Sequence, residues 1–381
     1  MRILFLLYRY PGIGGIENIT TLLANSFKHD LGNEVAIFSV INQPGINVKL
    51  DDITIITVGT NSVNTISYEF KKCLEDFQPD VIIFQDSYAE IEYLFQNIGK
   101  DTRLYIVEHN TPDSLLKAYV EHARQHRWCK LGGLLRKLLF PIIYTKIWLH
   151  QRSRHKLLVG ASDKYILLSP SYKSILQNFY RIKCNNLMAI PNIKNDFGAL
   201  SCEYMDKEKV VLFVGRLSHQ KGLDKLMAVW YKIEQCRRDY RLVIIGDGEQ
   251  KELVLHYIKK YHLQNVKCEG FKQNVDEYYK KASALFMTSI FEGLPLVLAE
   301  AMQFGVVPFV YDTFSSVHDI IIDSINGYIV RPFDKEGFVR AFLSFSALDD
   351  ESVNEMRYSA IHSSQKFSKG PVLEQWSYIL K

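Results

Sequence analysis

Short apolar runs alternate with longer amphipathic segments along the chain. The runs lack the strict apolar–polar alternation of a half-exposed strand, and segments of helical period separate them. This pattern is typical of parallel strands in a sheet that helices cover on both faces. The predicted strands are Arg2–Leu7, Glu34–Val40, Ile53–Val58, Asp80–Phe84, Leu104–Val107, Tyr165–Leu168, Leu187–Ile190, Val210–Val214, Leu242–Ile245, Val266–Glu269, Ala284–Met287, Val307–Val310 and Gly327–Val330.

The alternation pauses once, where the run Ile190–Ile193 opens an irregular, charged stretch that ends at Lys209. We therefore predict an α/β protein of two Rossmann-like, doubly wound parallel-sheet domains, at residues 1–190 and 191–381, facing a central cleft. Ligands of such sheets bind beyond the carboxyl ends of the strands. The segment Glu351–Leu380 has a helical pattern, and whether its last part packs back on the first domain stays open.

The composition is that of an ordinary globular protein. With 381 residues, 47% hydrophobic and 23% charged, it excludes a mainly disordered or low-complexity chain. A net charge of +4 is too small to indicate a nucleic-acid partner. The six cysteines are scattered without a C-x-x-C pair, no secretory signal precedes them, and no run of 18 apolar residues occurs. We therefore expect a cytoplasmic protein that binds no nucleic acid.

One stretch, residues 116–157, is strongly basic, with ten Lys or Arg residues against one acidic residue. Trp128 and Trp148 flank an apolar series at helical spacing. An apolar stripe edged by cations and tryptophan suits the surface of an anionic membrane, which predicts peripheral contact with the inner face of the cytoplasmic membrane. The alternative is that the stripe is core and the cations are solvated. The apolar series is Leu131, Leu134, Leu135, Leu138, Leu139, Ile142 and Ile143.

A glycine-rich turn, Tyr10–Glu17, follows the first strand and opens a helix. Such a turn lets backbone N–H groups approach an anion at the helix N-terminus. The dinucleotide fingerprint would need glycine where Glu17 stands, and no acidic residue closes the second strand, so a nicotinamide site is disfavoured. The alternative interpretation is a tight turn without a ligand.

Two further segments place charged residues beyond strands of the second domain. The loop after Val210–Val214 carries Arg216 and Lys221, and two fixed cations suit a diphosphate that gains charge as it leaves, although exposed surface cations are an equally good interpretation. Later, Glu292 precedes a predicted helix that contains Glu300. The start of that helix adds a positive helix end at the same place.

Two glutamates separated by seven residues, after Gly-Arg-Leu-x-x-x-Lys-Gly, resemble retaining glycosyltransferases of family 4 from bacterial surface-polysaccharide pathways, which have the GT-B fold. The resemblance covers nearly the whole chain. The other segments that carry it, in order, are Gly14–Glu17, Glu108–Asn110, Ile190–Asn192, Ile245–Glu249, Gly270–Phe271 and Asn326–Val330.

The resemblance implies a role for each matched residue. Arg216 and Lys221 would hold the diphosphate and stabilise it as the leaving group, and Glu292 would accept hydrogen bonds from the sugar hydroxyls. His109 would face the reacting sugar from the first domain, and Glu300 would bind the ribose. The remaining substrate-binding positions, around the phosphates, base and sugar, would be Gly14, Gly15, Gly246, Phe271, Gly293, Leu294 and Pro295.

The implied activity is the transfer of a hexose from a nucleotide sugar, UDP-linked on family grounds, to a glycan or lipid-linked acceptor. It needs neither metal nor cofactor, and the sequence has no Asp-x-Asp or His-x-x-x-His motif and no Cys/His cluster. Leu294-Pro295 and Phe314-Ser315-Ser316 depart from the commoner family residues beside the donor, so the identity of the sugar is not carried over. The alternatives are a UDP-sugar epimerase of the same fold and a non-catalytic sugar-nucleotide binding protein.

Overall fold

The computed structural model describes residues 1–12, 14–43, 45–46, 50, 52–85, 91–125, 132–194 and 206–381, without the side chains of 124, 125 and 132–138. It divides into two compact units. The second unit contains Lys117–Arg127 and Lys194–Lys369, and the first contains the remainder. The main division at Ile193 lies three residues beyond the predicted boundary, and two helical segments depart from a simple division along the chain.

The first unit is built on a seven-stranded parallel sheet with the strand order β3-β2-β1-β4-β5-β6-β7. Its central strands are apolar on both faces because helices cover both sides, as the uninterrupted apolar runs predict. The strands are β1 Arg2–Arg9, β2 Glu34–Ile41, β3 Thr54–Thr57, β4 Val81–Phe84, β5 Arg103–Glu108, β6 Lys164–Leu167 and β7 Leu187–Ala189. The α-helices that follow them along the chain are α1 Gly15–His29, α2 Val63–Phe77, α3 Ser114–Gln125, α4 Gly132–Ala161 and α5 Ser171–Ser174.

The second unit has a six-stranded parallel sheet with the order β10-β9-β8-β11-β12-β13. Trp230, Phe286, Phe309 and Phe342 pack in its core. The strands are β8 Glu208–Val214, β9 Arg241–Ile245, β10 Val266–Gly270, β11 Ala282–Met287, β12 Val307–Tyr311 and β13 Tyr328–Val330. The helices are α6 Leu223–Cys236, α7 Lys251–Lys260, α8 Asp276–Lys281, α9 Leu296–Gln303, α10 Val317–Ile320, α11 Lys335–Phe345 and α12 Asp350–Ser364.

The predicted helical segment at the end of the chain is divided in the structure. A turn at Gln365–Phe367 separates α12 from the last helix, α13 Lys369–Leu380. Residues of this last helix from Gly370 onward belong to the first unit, where Trp376 packs edge-on against Phe27 with the ring centroids 5.4 Å apart. Side chains of β5 also donate hydrogen bonds to carbonyls that the end of α13 leaves unpaired, at 2.8 Å from Arg103 Nη2 to Leu380 O.

Both sheets reverse their strand order beside the first strand of the unit, between β1 and β4 and between β8 and β11. Loops that leave the carboxyl ends of such a pair diverge to opposite faces and open a crevice. The loops after β8 and β11 carry Arg216, Lys221 and Glu292, and the loops after β1 and β4 carry Gly14 and Gln85. The fold therefore places the candidate residues where ligands of doubly wound sheets bind.

Candidate functional site

Lys221 and Glu292 form an ion pair at the reversal point of the second unit. Lys221 Nζ lies 2.6 Å from Glu292 Oε1, and Glu292 is 6% exposed. A buried carboxylate needs a counter-charge or hydrogen-bond donors, and the lysine supplies both. The sequence predicted that these two residues act on adjoining parts of one substrate, and the fold brings their side chains into contact.

The loop that carries Glu292 is held from two sides. On one side Gln220 Nε2 donates to the carbonyl oxygen of Phe291 at 2.9 Å, and the backbone N–H of Ile290 donates to the carbonyl of Gln220 at 2.8 Å. On the other side Ser316 Oγ donates to the carbonyl of Gly293 at 2.7 Å. Ser316 belongs to a segment that departs from the family pattern, and here it fixes the loop.

Gly222 explains why lysine is followed by glycine in this motif. Its φ is 63°, in the left-handed region, and a Cβ at this position would clash with the carbonyl oxygen of Thr288. Thr288 Oγ1 donates in turn toward the carbonyls of Lys221 and Gly222, at 3.1 Å each. Because Gly222 has no side chain, the turn that contains Lys221 packs directly against the backbone of Thr288, just after β11.

Arg216 differs from Lys221 in its surroundings. Its side chain is 77% exposed, and Nε lies 3.8 Å from Glu249 Oε2, a distance of weak ion pairing. A cavity of about 620 Å³ opens beside it and is lined also by Tyr119, His122 and Phe291. Arg216 is thus placed to reach a ligand without first leaving a strong partner.

The helix that lines this cavity was not part of the predicted site. Residues 117–125 of α3 belong to the second unit, although the helix begins in the first. Within the second unit, Glu121 is buried and lies 3.8 Å from Lys225 of α6, whose Nζ lies 5.0 Å from the centre of the Phe333 ring. This segment contains no recognised motif. In the sequence it was noticed only as part of the basic stretch, and nothing in it indicated a place beside the candidate site.

Glu300 lies in α9, and the buried hydroxyl of Tyr279 donates to its Oε2 at 3.5 Å. Burial, and then the neighbouring Glu300 carboxylate, raise the pKa of Tyr279 well above its ordinary value, so this hydroxyl stays a donor. Pro295 is the residue immediately before α9, which begins at Leu296. Leu294 is buried beside it, while Gly293 is half-buried.

The positions predicted to surround the base have two different characters. Gly246 is required by the fold, since a Cβ there would clash with the carbonyl oxygen of Gly215 where the ends of β8 and β9 meet. Phe271 follows β10 and is 70% exposed. A large aromatic face that no core contact explains is suited to stacking on a flat ligand.

In the glycine-rich turn between β1 and α1, local packing explains the glycine at position 14 but not the one at position 15. A Cβ on Gly14 would clash with the carboxylate of Glu17, which is buried and lies 3.0 Å from Arg9 Nε. A Cβ on Gly15 would meet nothing within 4 Å. Gly14 therefore makes room for Glu17, whereas the space above Gly15 is open.

His109 follows β5 in the first unit, and its Nε2 lies 2.5 Å from the Oε1 of Gln85, a fully buried residue at the end of β4. Burial lowers the pKa of His109 to about 4, so the ring is neutral near pH 7. Sequence reasoning missed Gln85. The sequence does offer one clue: Gln85 is a polar residue at the end of an apolar strand, and that strand is predicted next to the one that precedes His109.

The loop after His109 is also anchored by buried polar groups. Tyr165 of β6 donates to Glu108 Oε2 at 2.8 Å. His155 of α4 and Tyr180 contact the carbonyl oxygen of Pro112 at 3.0 and 3.3 Å. These contacts fix the loop backbone on both sides of the histidine.

Among the described residues, no group of three or more His, Cys, Asp or Glu side chains could hold a metal ion, and no helix has the length and apolar character needed to cross a bilayer. The expectation that the chemistry needs no metal stays a prediction.

Residues 203–363 match the family model described as glycosyl transferases group 1. The amylovoran biosynthesis glycosyltransferase AmsD of Erwinia amylovora is 29% identical over 58% of this chain, and the match spans 63% of that relative, less than two thirds of its length. A GalNAc-alpha-(1->4)-GalNAc-alpha-(1->3)-diNAcBac-PP-undecaprenol alpha-1,4-N-acetyl-D-galactosaminyltransferase of Campylobacter jejuni is 25% identical over 81% of this chain and 76% of its own.

The solved structure of the lipopolysaccharide outer core galactosyltransferase WaaB, in the apo form, is similar with a TM-score of 0.70 at 19% identity, over 99% of this chain and 98% of that one. The prediction of two parallel-sheet domains of the GT-B type is confirmed by this likeness and by the two sheets.

Proposed function

We propose that the chain is a retaining, metal-independent glycosyltransferase that transfers a hexose from a UDP-linked sugar to a glycan or lipid-linked acceptor, with release of UDP, during synthesis of a bacterial surface polysaccharide. The observation that carries the proposal is the Lys221–Glu292 pair at the strand reversal, inside the region matched by the glycosyltransferase family model. The named relatives support the setting, since they act in amylovoran synthesis and on an undecaprenol-linked glycan.

Loss of the sugar places a new negative charge on the terminal phosphate of the leaving group, and fixed cations stabilise that charge. Lys221 is already held by Glu292, so it needs little rearrangement to meet the phosphate, while the exposed Arg216 closes from the solvent side. Glu292 in turn accepts hydrogen bonds from sugar hydroxyls and keeps the anomeric carbon beside these cations.

The two glutamates should separate nucleotide binding from catalysis. Glu300 is assigned to the ribose, far from the reacting carbon, so Glu300→Gln should weaken UDP binding. Glu292 is assigned to the transferred sugar, so Glu292→Gln should lower kcat with little change in UDP affinity. Calorimetry with UDP and initial-rate kinetics would measure both, and the reverse pattern would contradict these roles.

A screen for release of nucleotide from UDP-, GDP- and ADP-sugars tests the activity as a whole. We expect slow hydrolysis of one UDP-hexose that a suitable acceptor accelerates and EDTA does not inhibit. Interconversion of the sugar without UDP release would favour the epimerase, and binding without turnover would favour a non-catalytic protein. Inversion of the anomeric configuration, read by NMR, would reject the retaining assignment.

We also propose that α4 contacts an anionic membrane. Its exposed apolar side chains lie on one helical face, whereas Gln151 and His155 on the opposite face are buried. Lys146 and Lys156 lie among the exposed residues. The exposed apolar residues are Leu139, Ile142, Ile143, Leu149 and Leu157, at 39 to 62% exposure.

Part of the predicted stripe can be placed in the structure. Leu139, Ile142 and Ile143 are exposed, so for these three the core interpretation is wrong. Trp148 packs against Tyr180 inside the first unit. Trp128 and Leu131 lie outside the described residues, as do the side chains of Leu134, Leu135 and Leu138.

Flotation with phosphatidylglycerol-containing and neutral phosphatidylcholine vesicles tests this contact. The wild-type protein should float with the anionic vesicles. High salt should release part of it, because the screening length falls from about 8 Å at physiological ionic strength to about 3 Å at 1 M salt. Ile142→Glu, at a residue 62% exposed, should weaken binding. Ile322→Glu is the matched control because Ile322 is 56% exposed and lies in the second unit. Equal binding by the two variants would reject α4 as the membrane face.

A further inference from the structure

Gln85 and His109 form a pair that none of the motifs predicts. The backbone N–H of Gln85 donates to the carbonyl of Leu6 at 3.0 Å, which ties the residue to β1 beyond the end of β4. Its side chain is fully buried, and its Oε1 meets His109 Nε2 at 2.5 Å. The ends of two adjacent strands therefore set the position of both partners.

The chemistry of the pair fixes where the imidazole proton lies. A carbonyl oxygen only accepts hydrogen bonds, so Nε2 of His109 carries the proton and Nδ1 keeps a lone pair. Nearby titratable side chains have other partners: Glu108 accepts from Tyr165, and Asp113 accepts from Thr111. The tautomer of His109 therefore depends on the amide of Gln85.

Packing alone does not explain a glutamine at this position. Its Nε2 is buried and has no hydrogen-bond partner among the residues that the structure describes. A buried amide donor without a partner destabilises a fold, and an apolar side chain of similar size would avoid that cost. Contact with the imidazole is the one described interaction that distinguishes this side chain from leucine or methionine.

We propose that Gln85 is a positioning residue that holds His109 in the Nε2–H tautomer and thereby presents Nδ1 as a hydrogen-bond acceptor for a hydroxyl group of the carbohydrate substrate. A sugar hydroxyl can donate to a neutral ring nitrogen and cannot donate to an imidazolium. The identity of the substrate rests on the proposed function, whereas the tautomer is a property of the protein alone.

NMR of the ¹⁵N-histidine-labelled protein without substrate tests the tautomer, with His109→Phe to assign the signal. At pH 7 the wild-type ring should be neutral and protonated on Nε2. Gln85→Leu removes the acceptor and should give a mixture of tautomers. Gln85→Glu places a carboxylate beside the ring and should raise the pKa of His109 from about 4 by at least about one unit. An Nδ1–H ring in the wild type, or an unchanged tautomer in Gln85→Leu, would overturn the proposal.

Kinetics separate positioning from a structural role. Gln85→Leu should lower kcat roughly 10- to 100-fold, by analogy with loss of the hydrogen-bond partner of a metal-bound histidine, with little effect on UDP affinity. Gln85→Glu should recover activity as the pH rises above the new pKa of His109, because the neutral ring returns. Gln151→Leu is the control, since Gln151 is a buried glutamine of the first unit without a hydrogen bond to His109. A pH-independent loss in Gln85→Glu would reject the positioning role.

The NMR and activity results fail independently. If NMR shows the expected tautomers but the protein transfers sugar to no acceptor, the role of Gln85 in fixing the tautomer stands and the proposed function is rejected. If the wild-type protein transfers sugar and Gln85→Leu has the same kcat, the proposed function stands and the positioning role of Gln85 is rejected.

Discussion

Replacing Arg216 with alanine should lower kcat roughly 10²–10³-fold, the size of effect seen when one fixed donor to a developing negative charge is removed. In the proposed function Arg216 and Lys221 share the stabilisation of the departing diphosphate, and the removed side chain acts mainly as that charge forms. Because the side chain is 77% exposed and its ion pair with Glu249 is weak, the variant should fold as the wild type does.

Arg340→Ala is the matched control for this variant. Arg340 has a similar side-chain exposure, 71%, and a similarly weak contact of 3.8 Å with Asp334, but it lies in α11 outside the candidate site. It should retain full activity, and both proteins should be insensitive to EDTA. An active Arg216→Ala variant, or turnover that requires a divalent metal, would remove the electrostatic assignment.

The sheets could be predicted because parallel strands buried on both faces leave an uninterrupted apolar signal. The expected run at Leu242–Ile245 and the observed β9 differ by one residue, and the strand ending at Phe84 is found where it was expected. The predicted helix over Glu351–Leu380 failed at its middle, since helical periodicity does not show that the chain turns at Gln365–Phe367 to reach the other unit.

The candidate residues could be predicted where a charged residue stands next to a glycine in a motif. They could not be predicted where a contact arises only from tertiary packing. The spacing around Lys221 and Glu292 marked both residues, but their 2.6 Å contact arises from the meeting of two loops at a strand reversal. Gln85 and the second half of α3 carry no comparable pattern. Gln85 was identified by its contact with His109, and α3 by the cavity that it lines together with Arg216, and both of these neighbours are distant in the sequence.

Lys221→Met should destabilise the second unit by about 3 kcal/mol and abolish measurable turnover. The substitution leaves the buried Glu292 carboxylate without its cation, and breaking a buried pair from one side is costly. Lys232→Met is the matched control: Lys232 pairs with Glu336 at side-chain exposures of 35% and 52%, so its loss should cost less than about 1 kcal/mol. Urea unfolding would measure both differences.

The double variant Lys221→Met/Glu292→Gln separates folding from catalysis. Removing both charges eliminates the unpaired carboxylate, so most of the lost stability should return, since replacing both members of a buried pair is often close to neutral. Turnover should not return, because neither the cation for the leaving group nor the acceptor for the sugar hydroxyls is present. A double variant that recovers both stability and activity would show that the pair serves the fold alone, and one that recovers neither would mean that Lys221 stabilises the loop through contacts other than Glu292.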